Sequence, residues 1–498
     1  MVCPDRETFR ALARHGRAVL LAREVLADLD TPLAIFRKLD DGQTSFLFES
    51  VEGGERWGRY SFIGVGARAR LIAQGGSLEV HRGDRVERHS VPETPEGDPL
   101  NHLRRLLRTL APIETGTLPR FAGGAVGYLS YDWVRHVERL PAENPDPLGL
   151  PSCFFTFPEV VLVHDRKRQR LTILLAVEPQ ASEQVDAVYD DGVARIEAVL
   201  QSLARPVPPL PAAPGVLEPP EITSTFTREA YHEVVKRARE YIQAGDVFQV
   251  VPSQRLTIPL RTDPFLIYRW LRATNPSPYL FFLRAPDHLV IGSSPEILVR
   301  LEGREITLRP IAGTRPRGED AEEDRRREEE LLADPKELAE HVMLVDLGRN
   351  DVGRVAEIGS VRVDEFQGIE RYSHVIHIVS NVRGRLRPEH DAIDLLRATF
   401  PAGTLTGAPK VRAMEIIEEL EPVRRGVYGG AVGYIDYRGD MDVCIAIRTI
   451  VIKGESIYLQ AGGGVVADSD PETEYLESLQ KAEALRAAIE LAERGTEG

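Results

Sequence analysis

Cysteine is scarce in this 498-residue chain: Cys3, Cys153 and Cys444 make an odd set, and no two of them form a CxxC pair. That count and spacing argue against both a disulfide framework and a cysteine zinc site. The apolar stretches are short, so no membrane span is expected. The opening residues Met1 to Arg6 are polar rather than those of a signal peptide, which points to the cytoplasm. No cysteine lies in a GxCxG-type elbow, so a glutaminase nucleophile is not expected in the chain. Basic residues are also short: 62 Lys and Arg stand against 77 Asp and Glu, for a net charge of −15. Without a basic excess, nucleic acid is not expected as the main partner. An anionic substrate needs only a local positive site and stays possible.

Apolar residues make up 42% of the chain, as in globular proteins, and the length favours two domains. The clearest boundary is the run from Arg205 to Pro220, RPVPPLPAAPGVLEPP, in which proline density blocks helix and sheet ladders. The expected organisation is an N-terminal domain over 1–204, a linker over 205–221 and a C-terminal domain over 222–498. One echo crosses that boundary: GGAVGY occurs at Gly123–Tyr128 and again at Gly429–Tyr434. It reads either as a shared type of strand, with small residues where backbones approach closely, or as two domains with related sheets. Strands are expected at Val160–Val163, Leu171–Leu175 and Val247–Val251. A helix is expected from a Thr227 cap to Ala244, with Gly245 as its stop. Strict strand–helix alternation is missing, so the expected class is α/β of the α+β type. It should hold large, mostly antiparallel or mixed sheets with helices outside.

Two helix starts share one device. Asp334-Pro335 and Asp470-Pro471 each place a capping Asp before a first-turn Pro. Glu337 and Glu340 then share one helix face, and Glu474 and Glu477 share another, with Lys481 one turn on. Four carboxylates on two faces would suit a hard divalent cation that bridges to an anionic substrate. The plainer readings are a capping box at Glu337 and an exposed Glu477–Lys481 pair. Gly462-Gly463-Gly464 could cradle an anion with backbone N–H groups or could simply be a flexible loop; it carries neither a GxGxxG nor a GxxxxGK pattern. His374 and His377 are three apart in a strand-like run and so point to opposite faces, and spacing does not choose between them.

Seven ordered motifs resemble those of the chorismate-utilising enzymes, a family holding anthranilate, aminodeoxychorismate, isochorismate and salicylate synthases. They are Ser293–Glu296 (SSPE), Pro310–Gly318 (PIAGTRPRG), Ala339–Val355, Ala398–Lys410 (ATFPAGTLTGAPK), Tyr428–Tyr434, Ile445–Thr449 and Ala461–Ala482. The resemblance implies large, roughly orthogonal sheets flanked by helices. Isochorismate and salicylate synthases place a lysine base where this chain has Gln249, a neutral amide that can only hydrogen-bond. Aminodeoxychorismate synthases typically read PIKGT, but here Ala312 removes the nucleophile. Both departures resemble the large subunits of anthranilate synthases. Aminodeoxychorismate synthase is the alternative within the family, and a non-catalytic tryptophan sensor is the alternative outside it.

The resemblance also implies roles. Glu340 and Glu477 would coordinate Mg²⁺, supported by Glu337 and Glu474. Thr314, Tyr428, Arg448, Gly463, Gly464 and Lys481 would hold chorismate. Ammonia would add beside Gln249 and Thr404, with Glu296 as general acid and His377 assisting loss of pyruvate. A separate glutamine amidotransferase subunit would supply the ammonia. Leu47-Phe48-Glu49-Ser50 with Asn275-Pro276-Ser277-Pro278-Tyr279 resembles the feedback pocket for tryptophan, which Leu280, Val432 and Tyr434 would complete. Pro252 stands where relatives usually have Leu and points to an edge strand or bulge beside Gln249.

Overall fold

The structure is a computed structural model, and it describes residues 1–50, 58–179, 184–215, 218–371 and 375–495. Among these residues the helices are α1 Arg6–Ala13, α2 Pro32–Leu39, α3 Leu100–Leu110, α4 Val185–Leu203, α5 Arg228–Ala244, α6 Pro264–Thr274, α7 Ala321–Ala333, α8 Pro335–Gly353, α9 Ala392–Thr399, α10 Lys410–Leu420 and α11 Pro471–Arg494. The strands of the first half are β1 Val19–Leu26, β2 Ser45–Glu49, β3 Tyr60–Val65, β4 Ala69–Gln74, β5 Ser77–Arg82, β6 Arg85–Ser90, β7 Gly124–Leu129, β8 Cys153–Phe157, β9 Val160–Asp165 and β10 Arg170–Val177. Those of the second half are β11 Thr223–Ser224, β12 Gln249–Val250, β13 Ser253–Pro259, β14 Tyr279–Arg284, β15 His288–Ser294, β16 Ile297–Glu302, β17 Glu305–Leu308, β18 Ile311–Pro316, β19 Arg362–Arg371, β20 Val375–Arg385, β21 Gly407–Ala408, β22 Ala431–Asp436, β23 Met441–Ile445, β24 Thr449–Lys453 and β25 Ser456–Gly462.

Two sheets organise the molecule. One runs β1-β10-β9-β3-β2-β14-β15-β24-β25-β13-β11, and the other runs β18-β20-β17-β16-β23-β22-β7-β8-β4-β5-β6 with β19 on β20. The ladders are antiparallel throughout both sheets. A core between the sheets joins Phe46, Phe62, Val163, Phe281 and Val290 of the first to Val126, Tyr128, Phe154, Val432 and Tyr434 of the second. The outer face of the first sheet packs under α2, α4, α6 and α11. The outer face of the second packs under α3 and α9. The expected α/β class with large antiparallel sheets and flanking helices is what the chain adopts.

Each sheet also reads the same from its centre outward. Starting at the β2·β14 and β7·β22 junctions, the strands β1 to β10 match β13, β14, β15, β16, β17, β20, β22, β23, β24 and β25 one for one. The helices follow the same rule. α2 precedes β2 as α6 precedes β14, α3 precedes β7 as α9 precedes β22, and α4 follows β10 as α11 follows β25. The segments TPLAIFRKL (Thr31–Leu39) and DPFLIYRWL (Asp263–Leu271) form the first helix pair, each with a side-chain cap and a first-turn Pro. The two GGAVGY copies pair with each other, with Gly127 opposite Gly433. The chain is therefore two related ten-strand halves that share both sheets. The proline-rich segment, described apart from residues 216–217, joins halves of common sheets rather than two separate cores.

Local expectations fare well where a cap or a breaker sets them. Thr227 caps α5 and Gly245 ends it in the left-handed conformation. The strand expected over Val247–Val251 is cut to β12, because Pro252 cannot donate to a ladder. β12 then pairs with β21, while β13 turns to β25.

The central glycines admit no side chain. A Cβ on Gly127 would strike the Phe154 carbonyl, and one on Gly433 would strike that of Asp442. Gly127→Ala and Gly433→Ala should each cost about 1–3 kcal/mol through overpacking. Gly353→Ala, in open space at the end of α8, should be neutral or stabilising by up to about 1 kcal/mol, because Ala is the better helix former. Urea midpoints check this; equal midpoints for all three would mean that the junction tolerates a side chain.

Candidate active site

Helices α8 and α11 enter the site on the device their sequences share. Asp334 accepts the backbone N–H of Lys336 at 3.0 Å and of Glu337 at 3.4 Å. Asp470 accepts that of Thr473 at 3.0 Å. Glu337 does not close a capping box; its carboxylate takes the Arg315 guanidinium at 2.9 Å, which also reaches Asp334 at 3.0 Å. Glu340, one turn on, accepts the Gln249 side-chain amide at 3.2 Å. Burial pushes its carboxyl above the ordinary range; the Gln249 amide offsets part of this, while Glu337 and Glu477 add to it.

The triple glycine faces these carboxylates. A Cβ on Gly463 would sit 2.8 Å from Glu474 Oε2 and 3.5 Å from Glu477 Oε1, and one on Gly464 would strike the Gln249 amide. The bare backbone is thus what lets strand β25 and helix α11 close on the site. Glu474 is buried with Oε2 lacking a hydrogen-bond partner. Its carboxyl is raised first by burial, and then by neighbouring Glu477. Glu477 pairs with Lys481 at 2.7 Å, as the i, i+4 reading anticipates, and Lys481 also donates to the Gly462 carbonyl at 3.0 Å. Among the described residues no three of these carboxylates are gathered closely enough to enclose an ion.

Glu296 follows β15 and is buried. Burial raises its carboxyl to about 8, and the Thr404 hydroxyl, donating at 3.2 Å, offsets part of that rise. The acid is therefore protonated at neutral pH. Its backbone carbonyl takes the Ile445 N–H, and Ser293 N–H donates to the Arg448 carbonyl, which ties the acid's turn to the arginine's. Arg448 is held at φ +47°, in the left-handed region that costs a non-glycine residue strain. Burial lowers its guanidinium's pKa, and among the described residues no carboxylate forms an ion pair with it. An anion fits such a group.

His377 lies on β20 opposite Thr314 of β18. Its Nδ1 is 2.9 Å from the Gly313 carbonyl and 3.2 Å from the Thr314 hydroxyl. A carbonyl only accepts, so Nδ1 carries the proton and Nε2 is the basic nitrogen. Burial lowers the ring's pKa and keeps it neutral, and nearby Arg448 acts the same way. His374 lies outside the described residues. Tyr428 is buried and its hydroxyl pushed up to about 12, with the Gly462 backbone offsetting part of the rise.

The ten residues expected around a regulatory ligand divide. A cavity partly open to solvent lies between the sheets. Glu49, Ser50, Pro278, Tyr279, Leu280, Val432 and Tyr434 line it, together with Phe48, Arg120, Arg300 and Asp442. Asn275, Pro276 and Ser277 stand behind the wall. Asn275 and Ser293 hydrogen-bond each other, and the Ser277 hydroxyl donates to the Ser294 carbonyl. The Glu49 carboxylate points the other way, to Arg272 at 3.0 Å and the Tyr268 hydroxyl at 2.7 Å. Phe46 and Phe48 face the other sheet while Leu47 and Glu49 face the helices, an alternation that period two in the sequence already contains. Leu280, opposite Glu49, likewise joins the helix-side core, so Phe48, Tyr279 and Phe281 supply the apolar wall. Sequence reasoning missed Arg315, Arg300 and Arg120; the first two were signalled only by charge inside a motif or an apolar strand, and Arg120, outside both, by nothing local.

Fold and site together define a class of enzyme built around an anionic substrate. The family model described as chorismate binding enzyme matches residues 44–487, and the chain belongs to that family. It is 50% identical to an anthranilate synthase component 1 from Pseudomonas putida, over 98% of this chain and 99% of that one. It is 48% identical to another from Aquifex aeolicus, over 99% and 98%. A crystal structure of anthranilate synthase component I from Streptococcus pneumoniae superposes with a TM-score of 0.74 at 35% identity, covering 93% of this chain and 99% of that one. The menaquinone-specific isochorismate synthase from Escherichia coli shares the fold, with a TM-score of 0.70 at 19% identity, over 97% of this chain and all of that one.

The raised Glu296 carboxyl has a pH signature. Its folded value near 8 lies above the ordinary 4.5, so the native state keeps a proton that the unfolded chain releases. Stability from that proton is complete below about pH 4.5 and is lost as pH rises towards 8. Glu296→Gln removes the titration, so its melting temperature should gain on the wild type between pH 5 and pH 8. A constant difference across that range would mean an ordinary, ionised Glu296.

Proposed function

We propose that this chain converts chorismate and ammonia to anthranilate and pyruvate, as the component 1 of an anthranilate synthase does. The support for the reading is a buried acid with a raised carboxyl, whose turn is hydrogen-bonded to that of Arg448, and a neutral imidazole that the same arginine perturbs. Arg448, the Tyr428 hydroxyl, the Gly463-Gly464 backbone and Lys481 would receive the carboxylates of the substrate, the guanidinium by planar donation and the ammonium as a point charge. Ammonia adds at C2, the ring double bonds shift, and Glu296 gives its proton to the departing 4-hydroxyl, which leaves as water. Gln249 can hydrogen-bond the incoming nucleophile but cannot deprotonate water, which disfavours hydroxylation at that carbon. His377 Nε2 then takes the C2 proton while the enolpyruvyl side chain leaves as pyruvate, and the ring becomes aromatic. Ala312 leaves no nucleophile for the covalent route of an aminodeoxychorismate synthase.

The acidic set suits Mg²⁺. Glu474 offers a buried oxygen without a partner, and burial and mutual repulsion raise both Glu340 and Glu474. Glu340 and Glu477 would hold the ion, with Glu337 and Glu474 in support. A bound Mg²⁺ supplies charge neutralisation for the ring carboxylate of the substrate. Ammonia would come from a separate glutamine amidotransferase subunit, consistent with relatives named as component 1.

The inter-sheet cavity suits tryptophan as a feedback inhibitor. Phe48, Tyr60, Tyr279 and Phe281 offer aromatic walls, and Arg120, Arg300 and Asp442 offer a polar end. Its wall is tied to the acid's turn through Asn275 with Ser293 and through Ser277 with Ser294. A ligand there can act only by binding one arrangement of those segments better than another.

Assays of the reaction and of its inhibition test these readings. Purified protein given chorismate, magnesium and an ammonium salt should develop anthranilate fluorescence, and chelation should abolish it. His377→Met should still add ammonia but release little anthranilate, so that an aminated, pyruvate-bearing intermediate accumulates on chromatography. Loss of both steps without that intermediate would give His377 another role. In the inhibition assay, Ser50→Phe should raise the tryptophan concentration for half-inhibition at least tenfold. Equal sensitivity in variant and wild type would move the inhibitor elsewhere, and an insensitive wild type would end the regulatory reading.

A further inference from the structure

Among the described residues of the second half, the least exposed ion pair has no proposed role in the chemistry, yet three site-bearing segments hang from it. Arg425 and Glu421 pair at 2.6 Å with side chains only 1% and 3% exposed. The guanidinium spends its other donors on backbone: Nη1 gives to the Leu405 carbonyl at 2.7 Å, and Nη2 gives to the Val251 carbonyl at 2.6 Å. Leu405 follows Thr404, the donor to Glu296, and Val251 lies two residues after Gln249. The rings of Tyr428 and Tyr131 cover the guanidinium, with centroids 5.6 and 4.6 Å away. Glu421 in turn accepts the backbone N–H and the hydroxyl of Ser253, each at 2.8 Å. Ser253 is the partner of Gly462 across β13 and β25, at the start of the triple glycine.

We infer that Arg425 is a positioning residue for the proposed reaction, a planar fork that fixes the Thr404 loop and the Gln249 strand relative to each other. The inference rests on the proposed roles of Thr404 and Glu296. A scaffold could fill this buried space with apolar side chains at no loss of stability, because buried ion pairs are weak stabilisers. What apolar side chains could not do is hold two carbonyls from separate loops at fixed angles, which needs several donors in one rigid plane. Tyr131 comes from the first half, so that half reaches the site through a ring stacked on this fork.

The test is a double-mutant cycle read on anthranilate formation with ammonium as nitrogen source. Arg425→Lys keeps the charge but loses the plane and should lower kcat at least tenfold, with a smaller change in KM for chorismate. Thr404→Val should lower kcat on its own. If Arg425 acts by placing Thr404, the double variant is no slower than the slower single one. Multiplying losses would mean that the two residues act independently and would overturn the inference. An inert Thr404→Val would overturn it too, by removing the role it rests on. Should Arg425→Lys fail to fold, Tyr131→Leu loosens the same fork from outside the site and enters the same cycle with the same two outcomes.

Discussion

Two strand pairings hold the molecule together: β2 with β14 in one sheet and β7 with β22 in the other. Each joins a strand of the first half to its counterpart in the second. Because the junctions lie mid-sheet, neither half can bury its apolar faces without the other. Phe46 and Phe62 from one half interleave with Phe281 and Tyr434 from the other in a single core. Glycine is required where the copies meet, since a side chain on Gly127 or Gly433 would collide with neighbouring backbone. The same economy recurs beside the junction. A Cβ on Gly64 would enter the Phe46 ring, and one on Gly292 would enter the Phe281 ring at the matching place in the second half.

Against that symmetric frame, part of the candidate chemistry falls where the halves differ. Between β5 and β6 the first half has only the turn at Gly83-Asp84, whereas between β17 and β20 the second half inserts β18, α7, α8 and β19. That insertion brings Thr314, Glu337 and Glu340. Between α3 and β7 the first half has a plain connection, whereas between α9 and β22 the second half carries Thr404, α10 and Tyr428. Shared elements are recruited as well: α11 gives Glu474, Glu477 and Lys481, the turn before β16 gives Glu296, β20 gives His377, the turn between β23 and β24 gives Arg448, and the end of β25 leads into Gly463-Gly464. A duplicated scaffold with its frame already stable can accept such insertions, because loop-closure entropy rises slowly with length.

How much of this could be read from sequence depended on how local each signal was. Caps and breakers were legible, so α5, α8 and α11 begin where Thr227, Asp334 and Asp470 place them. The GGAVGY echo showed, but its meaning as two strands paired with each other needed the register. The kinship of Thr31–Leu39 with Asp263–Leu271 was present but diluted, since matches at a helical period hide among ordinary apolar residues. Side-chain direction was harder to read. Glu49 lines the cavity, yet the alternation of its own strand turns its carboxylate towards Arg272. Arg425 had a local signal only in its i, i+4 spacing from Glu421; its other partners, at Val251 and Leu405, are backbone carbonyls brought in from far along the chain.

The inter-sheet cavity and the candidate active site share walls, so a single frame could serve both proposed uses. Tyr279 opens β14 with its hydroxyl on Asp442 at 2.9 Å, and Asp442 takes Arg300 at 2.6 Å. Just before Tyr279, Asn275 and Ser277 are bound to Ser293 and Ser294. The Ser294 hydroxyl donates to the Ile445 carbonyl at 2.6 Å, three residues before the strained Arg448. A displacement of Tyr279 would therefore load hydrogen bonds on the turns of both the buried acid and the unpaired arginine. In the proposed reaction those two groups would need the tightest placement, one because its proton would have to reach a single leaving oxygen, the other because a lone guanidinium has no second charge to correct its aim. Regulation at a distance would then need no long relay. It would need only that the cavity be walled by the segments on which the acid and the anion site are mounted.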